Sequence, residues 1–289
     1  MRTPLALIVP LALVAACSSG GGGDKQSLQT TSTPTTAATS AAPVTSTSAV
    51  PNTATTTAPG ATATSVATAA ATAGTTTTAA PVAPLSTKAP GKVEASKATA
   101  PGDYTYTSSG TVTFGTQKQD AAGTQTLTIT PLKNGIQHST IHSDSTGDTE
   151  EDILVRDAGS YAASLKLTSP AFTKEFRPNP PVLLMPDPAV VGKTWSWSAT
   201  STDGATHVSG TNKLIRKETL TIGGKTVPTV VLQTHLVLTG DVSYDAQLTT
   251  WWAPDYRLPV KTHTVGKGSY SGIPFKTDVT AVMSSVKPH

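Results

Sequence analysis

From residue 103 onward, apolar and aromatic residues recur at every second position between turn-forming residues. A period of two is typical of a β-strand that buries one face. Lys133-Asn134-Gly135 supplies a hairpin turn between two such segments. In the first half of this region, the pattern predicts strands at 104–107, 111–114, 126–130, 136–141, 152–156 and 161–167.

The second half repeats the alternation with a clearer turn, because Gly223-Gly224 accepts positive φ at both central positions of a tight hairpin. Along its last strand Phe275, Val279 and Met283 share one face, and the polar residues between them point the other way. The strands predicted here are 194–199, 219–222, 227–238, 247–252, 258–265 and 275–283.

Residues 177–188 separate the two groups of strands. They contain five prolines, which prevent a continuous helix or a central strand. No segment of ten or more residues in the domain shows a helical period. We therefore predict an all-β domain of about ten antiparallel strands, built as one large curved sheet or half-barrel. The alternative is a two-sheet β-sandwich.

A long segment of different composition precedes this domain. Residues 18–101 consist almost entirely of Thr, Ala, Ser, Pro and Gly, and their few aliphatic residues are too scattered to form a core. Such a segment does not recover the entropy of ordering, so we predict a disordered linker. A coil of about 80 residues spans roughly 50 Å. Its composition fits either an O-glycosylated stalk or an unmodified spacer.

The first 17 residues have the pattern of an export signal. Arg2 is followed by an apolar run over residues 5–14 and then by Ala15-Ala16-Cys17, which contains the only cysteine of the chain. The run is too short to span a bilayer. It resembles the lipobox of bacterial lipoproteins, which implies a diacylglyceryl group on the Cys17 thiol, cleavage before Cys17 and acylation of the new amino terminus. The alternative is an ordinary signal peptide that leaves a free thiol.

The predicted organisation is therefore a signal peptide at 1–16, a lipidated N-terminus and disordered linker at 17–101, and a β-rich domain at 102–289. With one cysteine there is no intramolecular disulfide, so the domain must be held together by core burial. From residue 103 onward, 16 basic and 16 acidic residues cancel. Without net positive charge or a basic stripe, we expect no nucleic-acid partner.

Two patterns resemble metal sites but do not fit them. His138 and His142 have the spacing of a helical zinc pair, yet in a strand their α-carbons lie roughly 13 Å apart. An acidic run misses the spacing of a calcium-binding EF-hand loop, and we interpret it as a solvated turn. That run consists of Asp144, Asp148, Glu150, Glu151 and Asp152. We predict no metal site and no cofactor.

Catalytic motifs are equally weak. Residues 268–272 read Gly-Ser-Tyr-Ser-Gly, so Tyr270 occupies the place where a hydrolase elbow carries its nucleophile. The sequence contains neither a phosphate-binding loop nor a dinucleotide fingerprint. We therefore expect that the protein is not an enzyme.

The four tryptophans are the other conspicuous residues. Trp195 and Trp197 share one strand face, whereas the adjacent Trp251 and Trp252 point to opposite faces of a regular strand. We expect core and lid packing for most of them. One of the adjacent pair is predicted to line a cavity or a partner surface, or to lie under the crossing segment.

Gly192-Lys193-Thr194-Trp195, Gly223-Gly224-Lys225-Thr226-Val227 and the WWAPDYRLPV segment at 251–260 resemble a pattern in uncharacterised bacterial envelope proteins. That pattern joins a G-x-x-W strand to a later W-x-x-P-x-x-x-L-P-V strand. The resemblance covers about residues 181–286. It implies a curved antiparallel sheet similar to the lipoprotein-carrier half-barrels of bacterial envelopes, which hold acyl chains on an apolar concave face. No catalytic residues come with it.

Together these features predict a monomeric lipoprotein on the extracytoplasmic face of the cell membrane, anchored through Cys17. We expect its β-rich domain to bind a lipid or another apolar envelope molecule without catalysis. The alternative is a structural or interaction module that contacts cell-wall polymer or another envelope protein through an aromatic surface.

Lipidation of Cys17 is directly testable. Labelled palmitate fed to producing cells is expected to enter the wild-type polypeptide and not a Cys17→Ser variant, and that variant is expected to leave the membrane fraction, because two or more acyl chains hold a protein firmly at a bilayer. A wild-type chain without label, or a variant that stays firmly membrane-bound, would contradict the prediction.

Overall fold

The computed structural model describes residues 85–143, 147–168 and 173–289. These residues form one antiparallel sheet and a single turn of 3-10 helix at Ala95–Lys97. The strands are β1 (Gly102–Phe114), β2 (Gln117–Asp120), β3 (Gly123–Ile129), β4 (Ile136–Ser143), β5 (Gly147–Arg156), β6 (Gly159–Thr168), β7 (Thr173–Phe176), β8 (Val182–Pro186), β9 (Thr194–Thr200), β10 (Thr206–Ile222), β11 (Lys225–Gly240), β12 (Val242–Ala253), β13 (Leu258–Tyr270) and β14 (Ile273–Met283).

The all-β class and the large curved sheet are confirmed, and the two-sheet sandwich is not what forms. The hydrogen-bonded order is β7-β6-β5-β4-β3-β1-β14-β13-β12-β11-β10-β9, with β2 paired to β1 and β8 paired to β6. The first and second halves of the domain therefore join where β1 pairs with β14. The prediction of about ten strands was too low. It omitted β2, β7 and β8, and β10 begins well before the predicted residue 219.

Both predicted hairpin turns are present. Asn134 and Gly135 have φ values of 54° and 75°, and Gly223 and Gly224 have φ values of 55° and 76°. This left-handed backbone matches the twist of two antiparallel strands, and it is accessible to glycine and asparagine at little cost. The Gly223-Gly224 turn connects β10 and β11, the two longest strands of the sheet.

The two edges of the sheet meet at a seam beside β7 and β9. Phe176 forms an isolated bridge with Ser201, and the backbone N–H of Thr202 donates to the Glu175 carbonyl over 2.7 Å. Lys174 extends the seam, because its Nζ contacts Asp203 Oδ2 at 2.6 Å and Asp241 Oδ2 at 2.8 Å. The sheet is thus curled until its first and last strands come together.

Curling places one face of nearly every strand inside. The face of β14 predicted from Phe275, Val279 and Met283 is buried as expected. Phe275 stacks on Tyr244 with ring centroids 5.3 Å apart. The buried tyrosine hydroxyls on this face have partners: Tyr106 Oη donates to the Pro259 carbonyl over 2.5 Å, and Tyr244 Oη lies 2.6 Å from Thr277 Oγ1. The interior is therefore a packed apolar core with its tyrosine hydroxyls satisfied.

Residues 85–101, assigned to the linker from their composition, lie against this sheet. Leu85 and Ala89 pack on a cluster that includes Leu154 and Tyr161, and Val93 bridges to Arg156. The proline-rich crossing also contributes structure, because β8 pairs with the first residues of β6 and so forms part of the edge of the sheet. A short edge strand agrees with the exclusion of proline from central strands.

The seam predicts an acid-sensitive contribution to stability. The hydrogen bond from Lys174 is the largest of the effects that lower the pKa of Asp203 from 3.8 to about 2, followed by those from Ser201 and Ala205. A carboxyl whose folded pKa is depressed stabilises the fold above about pH 4 and loses that contribution as the pH falls toward 2.

Lys174→Met is therefore expected to lower the free energy of unfolding by about 1 kcal/mol at pH 6. The difference from wild type should shrink at pH 2.5, as measured by urea unfolding at both pH values. Lys276→Met is the control, because Lys276 is exposed on β14 and forms no ion pair with any described residue. An equal Lys174→Met effect at both pH values would contradict the assignment.

Candidate ligand-binding cavity

The curled sheet surrounds a partly open cavity of about 130 Å³ between its two halves. Strands β3 to β6 form one wall and β9 to β12 form the other, while β8 reaches the cavity through Leu184 and Met185. Most of the lining is apolar, and it includes Leu127, Ile129, Ile153, Val155, Trp197, Leu232, Trp252 and Leu258. An apolar cavity of roughly 150 Å³ holds a benzene molecule, so this one accommodates a group of about that size.

Three segments meet where Lys97 and Arg257 line the cavity. Both side chains are 27% exposed, and we call this region the mouth of the cavity. Asp187 Oδ2 pairs with Lys97 Nζ at 2.9 Å and with Arg257 Nη1 at 2.5 Å. Burial would raise the pKa of Asp187, but the hydrogen bonds from Arg257 and Lys97 outweigh it and hold the pKa below its ordinary value. Beside this cluster, Gln137 Nε2 donates to the Thr99 carbonyl over 2.7 Å. These contacts join the N-terminal segment, the crossing segment and the β12–β13 turn across the cavity.

The tryptophans are positioned by small and polar neighbours. A Cβ at Gly210 would overlap the Trp197 ring, so glycine on β10 lets the indole lie flat against the strand. With its amide oxygen facing the indoles, Asn212 accepts from Trp195 Nε1 at 2.9 Å and from Trp197 Nε1 at 3.2 Å. Its amide nitrogen then donates to Thr234 Oγ1 over 2.7 Å. The two indole N–H groups and the Asn212 amide thereby have partners, and Trp195 Nε1 also donates to the Leu183 carbonyl over 2.8 Å.

Trp251 and Trp252 behave as predicted for adjacent strand residues. Trp252 lines the cavity and packs near Met185 and Leu232. Trp251 belongs to a different cluster, and Lys261 Nζ lies 4.5 Å from the centroid of its ring. Of the three alternatives predicted for one member of this pair, the structure shows Trp252 lining a cavity, and Trp252 also packs near the crossing segment through Met185.

Glu151 is the one acidic side chain in the lining. It is only 7% exposed, and it lies on the inner face of β5 opposite Ser139 of β4 and Leu165 of β6. It makes no hydrogen bond or ion pair with any described residue, and burial raises its pKa to about 7. A second space of about 30 Å³ also borders Glu151, together with Leu184 and Trp197.

The interpretation of the acidic run as a solvated turn was wrong for Glu151. Residues 148–152 belong to β5, and Asp144 lies outside the described residues. Asp148 and Asp152 pair with His142 at 2.6 Å and His138 at 3.0 Å. The sequence did contain a signal, because a period of two places Glu151 on the same face as Ile153 and opposite to its acidic neighbours.

The remaining candidates are dispersed. His138 and His142 each pair with a different aspartate, and no group of three metal-ligating side chains occurs in the part of the chain that the structure describes. Residues 268–270 end β13 and Ser271-Gly272 form the turn to β14. Cys17 lies outside the described residues. Within those residues, no helix is long and apolar enough to cross a membrane.

No protein-family model and no curated protein matches the sequence. The chain is similar to several solved structures, three of which are described below. The hypothetical lipoprotein YmcC from Escherichia coli has a TM-score of 0.32 and 12% identity, over 66% of this chain and 87% of that one. A protein from Parabacteroides distasonis, described as a lipoprotein, has a TM-score of 0.36 and 9% identity, over 66% of this chain and 97% of that one.

The third structure is an exported protein with a YmcC-like fold from Bacteroides fragilis, with a TM-score of 0.32 and 9% identity over 64% of this chain and 95% of that one. Two of the three neighbours are thus described as lipoproteins and the third as exported. Their TM-scores and identities are too low to assign a family, an activity or a ligand to this chain.

The buried carboxyl of Glu151 is expected to cost stability at neutral and alkaline pH. Its folded pKa of about 7 lies above the ordinary value of 4.5, so the folded state binds the proton more tightly. The cost therefore appears as the pH rises from about 4.5 to 7 and reaches on the order of 3 kcal/mol. Glu151→Gln should raise the free energy of unfolding at pH 8 and change it little at pH 4.

Urea unfolding at the two pH values measures this difference. Glu150→Gln is the matched control, since Glu150 is the preceding residue of the same strand and pairs with Lys166 at 2.7 Å on the outer face. A Glu151→Gln variant that is less stable than wild type at pH 8 would show that the carboxyl has a favourable partner in the folded state.

Proposed function

We propose that this protein is an extracytoplasmic lipoprotein, anchored to the membrane through Cys17, whose β domain binds an apolar ligand in the cavity between the two halves of its sheet. The partly open, largely apolar cavity of about 130 Å³ is the observation that carries the proposal. Neither the anchor nor the ligand rests on the structural neighbours.

The character of the lining supports binding of an apolar group. Burial of each methylene is worth about 0.8 kcal/mol on small-molecule transfer scales and about 1.5 kcal/mol when the scale is corrected for solute size, so a six-carbon chain gains about 5 to 9 kcal/mol. Loss of translational and rotational freedom costs 4 kcal/mol or more, which leaves a weak affinity for a short probe. A natural ligand needs further contacts, and the mouth formed by Lys97, Asp187 and Arg257 is the place where a longer molecule would leave the cavity.

The size of the cavity limits the ligand. Pockets for drug-sized molecules occupy about 300–1,000 Å³. A space of about 130 Å³ therefore fits one short chain or the end of one acyl chain, and not a whole diacyl lipid. The proposed ligand is a single-chain envelope molecule, or a lipid that inserts only part of one chain.

The proposed role is non-catalytic. None of the described side chains that line the cavity is a histidine or a cysteine. The lining therefore offers no Ser–His or Cys–His pair of nucleophile and base. The alternative, an interaction module with an aromatic surface, has less support. None of the four tryptophans is exposed, and the large apolar residues that are exposed in the described ranges are aliphatic.

Binding of n-hexanol to the full-length chain tests the proposal. Ligand-observed NMR is expected to give saturable binding with a dissociation constant on the order of 1 mM. Thr250→Leu places extra volume in the cavity without removing a hydrogen bond to a described residue, and it should weaken binding about tenfold or more.

Thr249→Leu is the matched control, because Thr249 precedes Thr250 on β12 and does not line the cavity. This variant should bind n-hexanol as wild type does. Absence of saturable binding to wild type, or equal binding by the Thr250→Leu variant, would overturn the assignment of the cavity.

A further inference from the structure

Two of the buried polar side chains that line the cavity lack hydrogen-bond partners among the described residues, and they are neighbours. Glu151 on β5 and Ser139 on β4 are directly opposite in the register of the two strands, and both line the cavity. They are 7% and 6% exposed, respectively. Neither side chain forms a hydrogen bond with any residue in the described ranges. Leu165 flanks Glu151 on the other side, so the pair lies within an apolar surface.

We propose that Glu151 and Ser139 form the polar end of the ligand site, and that the ligand is a single-chain amphiphile with a primary ammonium group that donates hydrogen bonds to both. This inference rests on the proposed function and specifies the chemical class of the ligand. The hydrocarbon part would pack against Leu184 and Trp197, which border Glu151 in both spaces of the interior.

An ammonium group matches this pair better than other polar groups do. It carries three donors, so one nitrogen can reach the carboxylate and the serine hydroxyl together. It also neutralises an ionised carboxyl that has no charged neighbour to offset its burial. Hydrogen bonds between ionised groups are about twice as strong as neutral ones, and exclusion of water strengthens them further.

An anionic head group is less well matched, because the cations near the cavity are already bound. Lys97 and Arg257 share Asp187, and Lys97 Nζ also donates to the Asp157 carbonyl over 2.8 Å. The amides that line the cavity are likewise occupied, since Gln137 bonds to Thr99 and Asn212 bonds to Thr234. A carboxylate placed beside Glu151 would add a second anionic acceptor, and the Ser139 hydroxyl offers only one donor to the two.

Matched six-carbon probes separate the classes. With the full-length chain at pH 7, n-hexylamine is expected to bind about tenfold or more tightly than hexanoate, with n-hexanol between them. Glu151→Gln should reduce that preference to about twofold or less while n-hexanol binding persists. In protein labelled with carbon-13 at glutamate carboxyl groups, the signal that disappears in the Glu151→Gln variant should move on addition of n-hexylamine and not of n-hexanol.

Glu150→Gln is the control and should keep the wild-type preference. Equal affinity of wild type for n-hexylamine and hexanoate would overturn the inference, and it is the result expected if an internal water alone serves Glu151 and Ser139. A preference that survives in the Glu151→Gln variant would overturn it as well. If n-hexanol itself fails to bind, the proposed function fails with it, whereas n-hexanol binding without discrimination between the ionic probes refutes the ammonium ligand alone.

Discussion

The structure depends on the need of a single sheet to bury its apolar face. Because the described residues contain neither an α-helix nor a second sheet to cover that face, the strands must curl until the sheet packs against itself. The seam through Lys174, Phe176 and Ser201 holds the two edges together. Closure brings β3 to β6 opposite β9 to β12, and the cavity is the space that their side chains do not fill.

Closure is completed by segments that are not central strands. Residues 85–101 and the crossing that contains β8 cover parts of the sheet, and both reach the mouth of the cavity through Lys97 and Asp187. The packed interior is thus built from hydrophobic side chains, while its entrance is built from ion pairs and amide hydrogen bonds.

Much of the fold could be predicted from local pattern. The Asn134-Gly135 and Gly223-Gly224 turns, the buried face of β14 and the opposite directions of Trp251 and Trp252 all follow from period two and from turn chemistry. Strand β8 and residues 85–101 could not be predicted in the same way, because proline content and polar composition favour irregular structure. These segments take up a defined structure because they pair with residues that are distant in sequence, and a local pattern does not predict such pairing.

The cavity likewise could be predicted only in part from local sequence pattern. Its apolar lining follows from alternation, but the isolation of Glu151 depends on which side chains face it from other strands. A run of acidic residues normally lies in solvent. Here Asp148, Glu150 and Asp152 pair with two histidines and a lysine on the outer face of the sheet. Glu151, between them in sequence, points inward and is buried. A buried carboxyl that costs stability is more readily explained by a ligand than by folding.

The most direct test of the account is native mass spectrometry of the full-length chain, purified gently from the organism that produces it. The account predicts a fraction of molecules with a bound single-chain molecule that dissociates on collisional activation and is absent from the Thr250→Leu variant. A wild-type protein that is entirely free of ligand, in which the cavity also fails to take up n-hexanol, would contradict it.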